Sequence, residues 1–361
     1  MNHYKNTFFL ILICICLPVF LWGCTTEKKA ESVAQTTEKV ISESSDKNEP
    51  VTIELFAMDT YMTLTAYGNH AKEALDKAAE SIKRIDELLS TGNPDSEIAM
   101  LNRDKKRTVS LETYNLICRS KEFYEETEGI FDISVYPIMQ AWGFTDENYR
   151  VPSGEELKSL LTHVHADMIH CSDGGKIVTL EDPDMEIDLG GIAKGYASDI
   201  VTNILRDQGV EHAVINLGGN VKTLGSKPDG SEWRVGIADP SNDSSYVGGV
   251  LMKDKAAITS GGYQRYFEED GKTYIHIIDL STGYPARTGL GSVTIIAEDG
   301  TMADAMSTSL FIMGREKAAE YWREHADFFD VVFIEDDGSV WITEGIKDSY
   351  FSERDFRVIE K

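Results

Sequence analysis

The sequence predicts a mixed α/β fold in which helices flank a mixed, largely antiparallel sheet. Strand-like and helix-like segments are interspersed along most of the chain. Several strand-like segments are joined by short turns such as Asp270-Gly271 and Asp337-Gly338, which are typical of hairpins and therefore of antiparallel pairing. The sequence contains no internal repeat and no obvious break between domains after residue 50. We therefore expect a single folded domain over residues 51–361.

The composition restricts the class of protein. Of the 361 residues, 42% are hydrophobic, which is enough for a large core. The net charge of −26 argues against nucleic acid or an anionic surface as the main partner. A phosphorylated ligand would therefore need local help from helix N-termini or a metal ion. Cys118 and Cys171 are interpreted as small core residues, with a disulfide between them left open, and no cysteine pair has zinc-ligand spacing.

The N-terminus has the layout of a lipoprotein signal peptide over residues 1–23. Lys5 precedes an apolar run, Phe8 to Leu21, that is too short for an ordinary membrane-spanning helix. Cys24, the first residue after this predicted signal peptide, is the predicted lipidated first residue of the mature protein. A plain signal anchor is the alternative, and Trp22 is unusual at a position that generally holds a small residue.

Residues 24–50 are predicted to form a flexible tether. They are rich in Glu, Lys, Ser and Thr and contain almost no large apolar side chains, so they cannot bury enough surface to fold. The lipid anchor and tether together predict a domain that is held at the cell membrane and faces the extracytoplasmic side.

The first predicted elements are two strands followed by two amphipathic helices. Met62, Leu64 and Ala66 alternate, as a half-buried strand requires. Apolar residues then recur at helical spacing as far as Leu89, where a breaker begins at Ser90. The predicted strands cover residues 51–57 and 60–67, and the predicted helices cover 71–89 and about 111–128.

The rest of the chain is predicted to alternate between strands and helices. Ser153 and Glu156 form a capping box for a short helix. The predicted strands cover residues 176–180, 185–189, 213–217, 233–239, 250–253, 273–279 and 292–297. The predicted helices run from 193 to about 208, from about 302 to 313, and near 316–325.

A glycine turn after the strand 185–189 is the first candidate ligand site. Gly190 and Gly191 permit a sharp turn, and the helix that starts near Ala193 directs its unpaired amide groups at it. Asp188 and Lys194 place both signs of charge at the turn. The pattern fits neither a P-loop nor a dinucleotide-binding fingerprint, and such turns are also common without a ligand. Support for a phosphate site must therefore come from elsewhere in the chain.

Asp304 and Thr308 are the candidate metal ligands. Four residues apart on a predicted helix, their side chains share one face. A carboxylate and a hydroxyl suit Mg²⁺, which keeps other positions for water and phosphate oxygens. The alternative is a solvated helix start with an N-terminal Asp and a threonine that bonds back to its own helix.

Three further side chains are candidates from their surroundings. His276 lies among isoleucines in the middle of a predicted strand, where it is either structural or a proton-transfer group facing a ligand. Asp132 and Asp188 are flanked by apolar residues, and a buried carboxylate needs a partner. The aromatic-rich stretch around Asp132 is interpreted as a core corner rather than the wall of a flat-ligand site.

An ordered set of short motifs resembles the ApbE-type flavin transferases, the FAD:protein FMN transferase family. The resemblance covers about residues 53–314, and the ordered set is far more specific than any single motif. The motifs are Met58-Asp59-Thr60, Gly129-Ile130-Phe131-Asp132, Trp142-Gly143-Phe144, the run from Ile187 to Tyr196, Asn216-Leu217-Gly218-Gly219-Asn220, Thr259-Ser260-Gly261, His276-Ile277-Ile278-Asp279, Thr282-Gly283-Tyr284-Pro285 and the run from Ala303 to Thr308.

The resemblance implies roles for individual residues. It implies that FAD is bound in a cleft, with Mg²⁺ on its pyrophosphate. The implied flavin-dinucleotide residues are Met58, Gly92, Ile130, Phe131, Asp132, Asp188, Lys194 and Ile278, with Ile130 to Asp132 on the adenine side. The implied metal ligands are Asp304, Thr308 and the backbone of Gly191. The implied catalytic residues are His276 and Asp304, and His276 would assist proton transfer.

The implied reaction transfers the FMN part of FAD to a threonine hydroxyl of an acceptor protein and releases AMP. Acceptors of the family are typically membrane redox-complex subunits and small FMN-binding domains. Two departures from the family pattern bear on this reaction. Asp59 stands where the family commonly has glycine, and Gly92 stands where an aromatic residue is frequent. FAD hydrolysis to FMN and AMP, or flavin binding without catalysis, are therefore the alternatives.

Overall fold

The computed structural model describes residues 39–40, 49–172 and 174–361. The predicted signal peptide, Cys24 and most of the predicted tether lie outside these residues. Lys39–Val40, from within the predicted tether, pairs with the strand Pro50–Ala57. Within the described part, none of the helices combines the length and the apolar character needed to cross a membrane.

The described residues form twenty strands and seven α-helices. The strands are β1 (Lys39–Val40), β2 (Pro50–Ala57), β3 (Thr60–Tyr67), β4 (Lys106–Thr108), β5 (Ile169–Ser172), β6 (Ile177–Leu180), β7 (His212–Leu217), β8 (Asn220–Leu224), β9 (Trp233–Asp239), β10 (Asn242–Met252), β11 (Ala256–Gly261), β12 (Tyr266–Glu269), β13 (Lys272–Ile275), β14 (Ile278–Asp279), β15 (Tyr284–Pro285), β16 (Leu290–Ala297), β17 (Phe329–Glu335), β18 (Val340–Thr343), β19 (Tyr350–Phe351) and β20 (Phe356–Ile359). The helices are α1 (Ala71–Leu89), α2 (Glu97–Asp104), α3 (Leu111–Glu126), α4 (Tyr136–Trp142), α5 (Gly154–Leu160), α6 (Ala193–Asp207) and α7 (Gly300–His325).

A ten-stranded sheet forms the centre of the fold. Its strand order is β1-β2-β3-β7-β8-β11-β16-β17-β18-β20. Neighbouring strands are antiparallel throughout, except that β18 and β20 run parallel. The predicted mixed fold with a largely antiparallel sheet is therefore confirmed.

The central sheet is buried on both faces, as the alternation of its side chains shows. In β16, Ile295 belongs to the main core beneath the helices, whereas Ile296 belongs to a second cluster. Helices α1, α6 and α7 pack against the first face. The β9–β10 hairpin supplies Trp233, Val235 and Val250 to the second cluster. The sheet is thus held between a helical layer and a smaller β layer.

The segment from Met185 to Leu189 is not a strand, which corrects the prediction. Its backbone pairs with a side chain instead of a neighbouring strand. The Asn102 amide donates to the Ile187 carbonyl at 2.9 Å and accepts from the Ile187 N–H at 2.7 Å. The Asp188 N–H donates to the Ile133 carbonyl at 2.8 Å. A buried, extended segment of this kind has the apolar pattern of a strand without its ladder.

The helices predicted at 302–313 and 316–325 are confirmed as the two halves of α7, which are separated by non-helical backbone at Gly314, where φ is 74°. One further element differs from the prediction. The strand predicted at 273–279 is interrupted after Ile275, so that His276 lies between β13 and β14 rather than within a strand.

An aromatic cluster joins α4, α5 and the β12–β13 hairpin. Trp142 and Phe144 are fully buried there and pack against Phe267 and Tyr274. The Trp142 indole N–H donates to the Gly283 carbonyl at 2.8 Å, which satisfies its polar atom. The predicted core corner is therefore observed, and it supports the segment that carries His276.

Candidate active site

A cleft of about 670 Å³ opens beside the start of α6. The β2–β3 turn, the end of α1, the segment before α6 and the loop after β11 contribute to its walls. The lining side chains and backbone come from Met58, Asp59, Thr60, Asp86, Ser90, Thr91, Gly92, Met139, Phe144, Thr145, Asp188, Leu189, Gly190, Lys194, Gly218, Tyr263, Gln264, Arg265 and His276, among others. Both polar and apolar groups therefore face the same space.

The β2–β3 turn forms one wall through an uncommon backbone conformation. Met58 and Asp59 join two directly paired strands, and both have positive φ values, 49° and 56°. This is the geometry of a two-residue type I′ hairpin turn, in which non-glycine residues are strained. The turn between β7 and β8 packs closely against the β2–β3 turn. A Cβ on Gly218 in the β7–β8 turn would lie 2.3 Å from the Thr60 hydroxyl oxygen. Only glycine fits that position.

The segment before α6 places a carboxylate at the glycine turn. The Gly190 N–H donates to Asp188 Oδ1 at 2.8 Å. Burial raises the pKa of the Asp188 carboxyl, against the opposing effects of this hydrogen bond and of the Arg265 and Lys194 cations. Asp188 therefore depends on nearby positive charge to remain ionised.

Lys194 is a cation without a bonded partner. It lies in the first turn of α6 and lines the cleft. Among the residues that the structure describes, none makes a side-chain hydrogen bond or ion pair with its ammonium group. Arg265 lines the same cleft, and its nearest ionic contact is Asp59 Oδ2 at 3.8 Å. The two cations and the N-terminus of α6 suit an anionic group such as a phosphate.

Asp304 lies next to the cleft wall and is 5% exposed. Its Oδ2 accepts the Gly195 N–H at 2.8 Å, and its Oδ1 accepts the Asn220 side-chain amide at 3.2 Å. Gly195 directly follows the cleft-lining Lys194, so α7 and the start of α6 meet at this carboxylate. Burial raises the pKa of the Asp304 carboxyl, while Lys194 opposes the shift.

Thr308 lies one helical turn after Asp304, as predicted for a pair on one face. Its hydroxyl is 3.1 Å from the Ser260 hydroxyl, which is also 2.8 Å from the Ser307 hydroxyl. The site thus combines one buried carboxylate with a group of hydroxyls. Oxygen ligands of this kind fit Mg²⁺.

His276 lines the cleft as a neutral imidazole. Burial lowers its pKa to about 4, and the Arg265 and Lys194 cations act in the same direction. Its Nδ1 lies 3.1 Å from the Arg265 carbonyl oxygen, which can only accept, so we assign the proton to Nδ1. Nε2 then carries the lone pair. His276 is therefore in its base form at neutral pH, and a pKa near 4 makes it a weak base.

The cleft brings together five of the residues predicted to bind the dinucleotide or act on it. Met58, Gly92, Asp188, Lys194 and His276 all line it. They come from four separate chain segments, because Asp188 and Lys194 belong to one continuous run, and only the tertiary structure unites these segments. Asp304, as described above, adjoins them through its bond to Gly195.

The other predicted flavin residues have side chains outside the lining. The Phe131 ring packs near Gly191, since a Cβ there would lie 3.5 Å from it. Asp132 is occupied by structural bonds to the Ser134 N–H and hydroxyl and to the Ala166 N–H. Ile278 is buried in the aromatic cluster. Ile130 is half-buried and also lies outside the lining.

Sequence reasoning missed two charged residues of the cleft, Arg265 and Asp86. Arg265 follows a small-residue loop, and Asp86 lies on the otherwise amphipathic α1. Burial raises the pKa of the Asp86 carboxyl, while the Met58 N–H opposes the shift. No local pattern marks Arg265. For Asp86 the helical spacing was a usable signal, because it places a carboxylate beside the buried residues of α1.

A second cluster, outside the cleft, combines a histidine with two aspartates, which are common metal ligands. His163, Asp182 and Asp184 are the one group of three such residues that could share an ion within the described ranges. His163 Nδ1 is 2.8 Å from Asp182 Oδ2. None of the three lines the cleft. Nothing connects this cluster with the predicted magnesium ligands.

Comparison with known proteins shows which class this cleft belongs to. The model of the ApbE family matches residues 58–333. A protein of Klebsiella pneumoniae (strain 342) called FAD:protein FMN transferase is 34% identical over 270 residues, which cover 74% of this chain and 83% of the relative. A protein of Treponema pallidum (strain Nichols) with the same name is 33% identical, over 76% of this chain and 80% of the relative.

Solved structures have the same fold. The crystal structure of the ApbE protein from Thermotoga maritima superimposes with a TM-score of 0.79 at 34% identity, and covers 85% of this chain and all (100%) of that one. The flavin transferase ApbE from Vibrio cholerae gives a TM-score of 0.75 at 28% identity, over 83% and 99% of the two chains.

The fold and the charged cleft, taken with these likenesses, define a transferase of the flavin transferase class. The match covers the cleft walls from the β2–β3 turn to α7. The chain belongs to the ApbE family.

Proposed function

We propose that this protein transfers the FMN moiety of FAD to a threonine hydroxyl of an acceptor protein, with Mg²⁺ bound, and releases AMP. One observation carries the proposal: the Asp304 carboxylate on α7 accepts a hydrogen bond from Gly195, the residue after Lys194, whose ammonium group has no bonded partner within the described ranges. The carboxylate that we propose as a metal ligand thus adjoins the cation that we propose to bind phosphate. The names of the relatives support FAD as donor and a protein as acceptor.

The donor set fits Mg²⁺ better than a softer metal. Asp304, Thr308 and the backbone of Gly191 would hold the ion, and all three offer oxygen. The burial that raises the pKa of Asp304 also gives a cation a reason to bind, since the ionised carboxylate lacks a full counter-charge. When bound, Mg²⁺ would act as a Lewis acid that neutralises charge on the pyrophosphate.

The side chains of the cleft have distinct tasks in the proposed reaction. Lys194 and the N-terminus of α6 bind the phosphates and stabilise the charge that develops on the leaving AMP. Arg265 adds a second positive charge at the cleft mouth. Their positions orient the pyrophosphate for in-line attack on the FMN phosphorus.

The proposed transfer exchanges one phosphorus–oxygen bond for another. The threonine Oγ forms a bond to the FMN phosphorus, and the bond from that phosphorus to the bridging oxygen breaks. The bond electrons leave with AMP. The hydroxyl proton passes to Nε2 of neutral His276 and from there to solvent.

The Asp304→Ala variant tests this proposal. We expect the variant to lose AMP release and flavin transfer by about 100-fold or more, because Mg²⁺ contributes several kcal/mol to the transition state. The measurement follows AMP and covalently bound flavin after incubation with FAD, Mg²⁺ and a threonine-bearing FMN-binding domain. Glu316→Ala removes an exposed carboxylate from the same helix and should leave both rates unchanged. Undiminished transfer by Asp304→Ala, or in EDTA, would exclude the proposed role.

FAD hydrolysis to FMN and AMP is the second candidate function. It is favoured by Gly92, which lines the cleft where a Cβ would meet only the Ser90 hydroxyl, at 3.8 Å. The absence of a side chain at this position leaves room in the cleft that water could occupy, which would favour hydrolysis over transfer to threonine. AMP release at the full rate without an acceptor would favour this function, and AMP release that requires the acceptor would favour transfer.

The proposed location is the extracytoplasmic face of the cell membrane, with Cys24 as the lipid-bearing residue. This proposal rests on the signal-like pattern of residues 1–23. Acceptors at that location would be membrane redox-complex subunits or small FMN-binding domains. A Cys24→Ser variant that still fractionates with membranes and incorporates labelled palmitate would contradict it.

A further inference from the structure

Exposed aromatic side chains surround the mouth of the cleft. Phe56, Tyr61, Tyr149 and Tyr266, which we call the aromatic rim, are 45%, 82%, 36% and 50% exposed. They come from the β2–β3 hairpin, the loop after α4 and β12. Single exposed aromatic residues are ordinary, but a cluster of four beside a candidate active site indicates an interaction surface.

A recess of about 520 Å³ joins the aromatic rim to the cleft. Phe56, Tyr149 and Tyr266 line this recess. Asp59, Thr145, Gln264 and Arg265 line both the recess and the cleft. The recess and the cleft are therefore neighbours that share part of their walls. Tyr61 extends the surface, since its ring contacts Phe56 edge-on at 5.1 Å.

One member of the aromatic rim, Tyr149, is held in place by the core behind it. The Tyr149 ring stacks on Phe267 at 5.0 Å, and Phe267 stacks on Tyr274 at 5.1 Å. Phe267 and Tyr274 belong to the buried aromatic cluster. A partner that binds such a supported ring pays little ordering entropy, which is the usual property of an interface anchor.

The charges of the recess complement a basic partner. Asp59 and Glu147 are acidic groups in its lining, and Arg265 is the single cation there. Asp59 makes a 3.8 Å ionic contact with Arg265, whereas none of the described residues forms an ion pair with Glu147. A lysine or arginine in a partner segment would find an unpaired carboxylate at Glu147.

We propose that the aromatic rim is the docking surface for the acceptor protein. The acceptor would present its threonine on a segment that also carries apolar side chains and at least one lysine or arginine. The apolar side chains pack on the aromatic rim, the basic residue pairs with Glu147, and the threonine reaches the cleft. This inference rests on the proposed transfer function, because it assigns a surface to the protein substrate of that reaction.

The test separates acceptor binding from FAD binding. In a Tyr61→Ser/Tyr266→Ser double variant, we expect the KM for a threonine-bearing FMN-binding domain to rise about tenfold or more, as for buried interface aromatics. The Kd for FAD, measured by flavin fluorescence, should stay unchanged.

Glu147→Lys should also raise the acceptor KM and reduce the dependence of this KM on salt. Tyr246→Ser and Phe328→Ser, at two residues that are each 69% exposed outside the aromatic rim, are the matched controls.

Other occupants of the aromatic rim give different results. An unchanged acceptor KM in the double variant overturns the inference. A change in the FAD Kd instead also overturns it, because the aromatic rim would then bind FAD. Dissociation of an oligomer by the same variant overturns the inference in favour of a second copy of this chain.

Photocrosslinking from a benzoylphenylalanine at position 61 tests docking independently of flavin transfer. Crosslinking to the acceptor supports docking even where transfer fails, so failure of the transfer function remains distinguishable.

Discussion

At the scale of single residues, the site depends on charges that the fold leaves uncompensated. Asp304 is ionised only at a cost, because burial raises its pKa, and the Lys194 ammonium has no bonded partner among the described residues. A substrate with phosphates and a divalent cation would satisfy both groups. Charged groups of this kind, in a cleft and next to its wall, make the cleft a candidate functional site.

The first prediction concerns the imidazole of His276. We expect its pKa in the ligand-free protein to lie near 4, because burial and the Arg265 and Lys194 cations disfavour the charged form. The ring is then neutral throughout the range from about pH 5 to 8. Titration of the imidazole followed by NMR measures this value. Lys194→Met should raise the pKa, whereas the exposed control Lys317→Met should leave it unchanged.

The same shift has a consequence for stability. Between about pH 6.5 and 4 the unfolded chain binds a proton at His276 that the folded chain does not. This residue therefore lowers the free energy of unfolding as the pH falls through that range. A midpoint near 6.5 in the NMR titration would contradict the lowered pKa and, with it, this pH dependence of the stability.

At the scale of elements, the site depends on the close approach of α6 and α7. A Cβ on Gly195 would lie 2.1 Å from the Gly300 carbonyl oxygen and 2.7 Å from Asp304 Cβ. Both helices begin at this contact, and Asp199 on α6 caps α7 by accepting from the Gly300 and Thr301 N–H groups. The helix contact thus positions the Asp304 carboxylate beside Lys194.

The second prediction follows from this contact. Gly195→Ala should lower the free energy of unfolding by more than about 2 kcal/mol, because the added methyl group meets backbone that cannot move alone. Chemical denaturation followed by circular dichroism measures the change. Gly174→Ala is the control, since a Cβ there has no neighbour within 4 Å, and it should change the stability by less than about 0.5 kcal/mol. Equal stabilities of the two variants would show that the helices can separate at little cost.

The segment before α6 shows why an element can be misread from sequence. Met185, Ile187 and Leu189 are buried and alternate as a strand would, yet the Asn102 amide takes the place of a neighbouring strand. Asn102 lies 85 positions from Ile187, so no local pattern predicts the pairing. The prediction that Asp188 lies at the glycine turn does not depend on a strand, because the extended segment also places Asp188 there.

At the scale of the whole molecule, metal binding and folding should be linked. An ion that binds the folded chain and not the unfolded chain stabilises it, by about 2.7 kcal/mol at a concentration 100 times the Kd. We expect Mg²⁺, in the presence of FAD, to raise the midpoint of thermal unfolding by several degrees. Scanning calorimetry of wild type with and without the ion gives the shift.

Two variants identify the site responsible for that shift. Asp304→Ala should abolish it, since the buried carboxylate is removed. Asp182→Ala disrupts the separate His163 cluster and should leave the shift unchanged. If Asp182→Ala abolishes the shift in unfolding midpoint and Asp304→Ala retains it, the ion binds at the His163 cluster. That result would contradict the proposed metal site.

The sequence by itself determined the mixed α/β class, the helix that begins after the glycine turn, the pairing of Asp304 with Thr308 on one helical face, and the family resemblance. Each of these depends on residues that are near one another in the chain, or on motifs that keep their order. Local periodicity is enough to specify them.

Only the tertiary structure decided which candidates face the cleft. Met58, Lys194 and His276 line it, whereas Ile278 is buried in the aromatic cluster. It also supplied Arg265 and assembled the aromatic rim from three distant segments. The physical reason is that burial, charge compensation and surface shape are set by contacts between residues far apart in sequence, and a linear pattern does not record them.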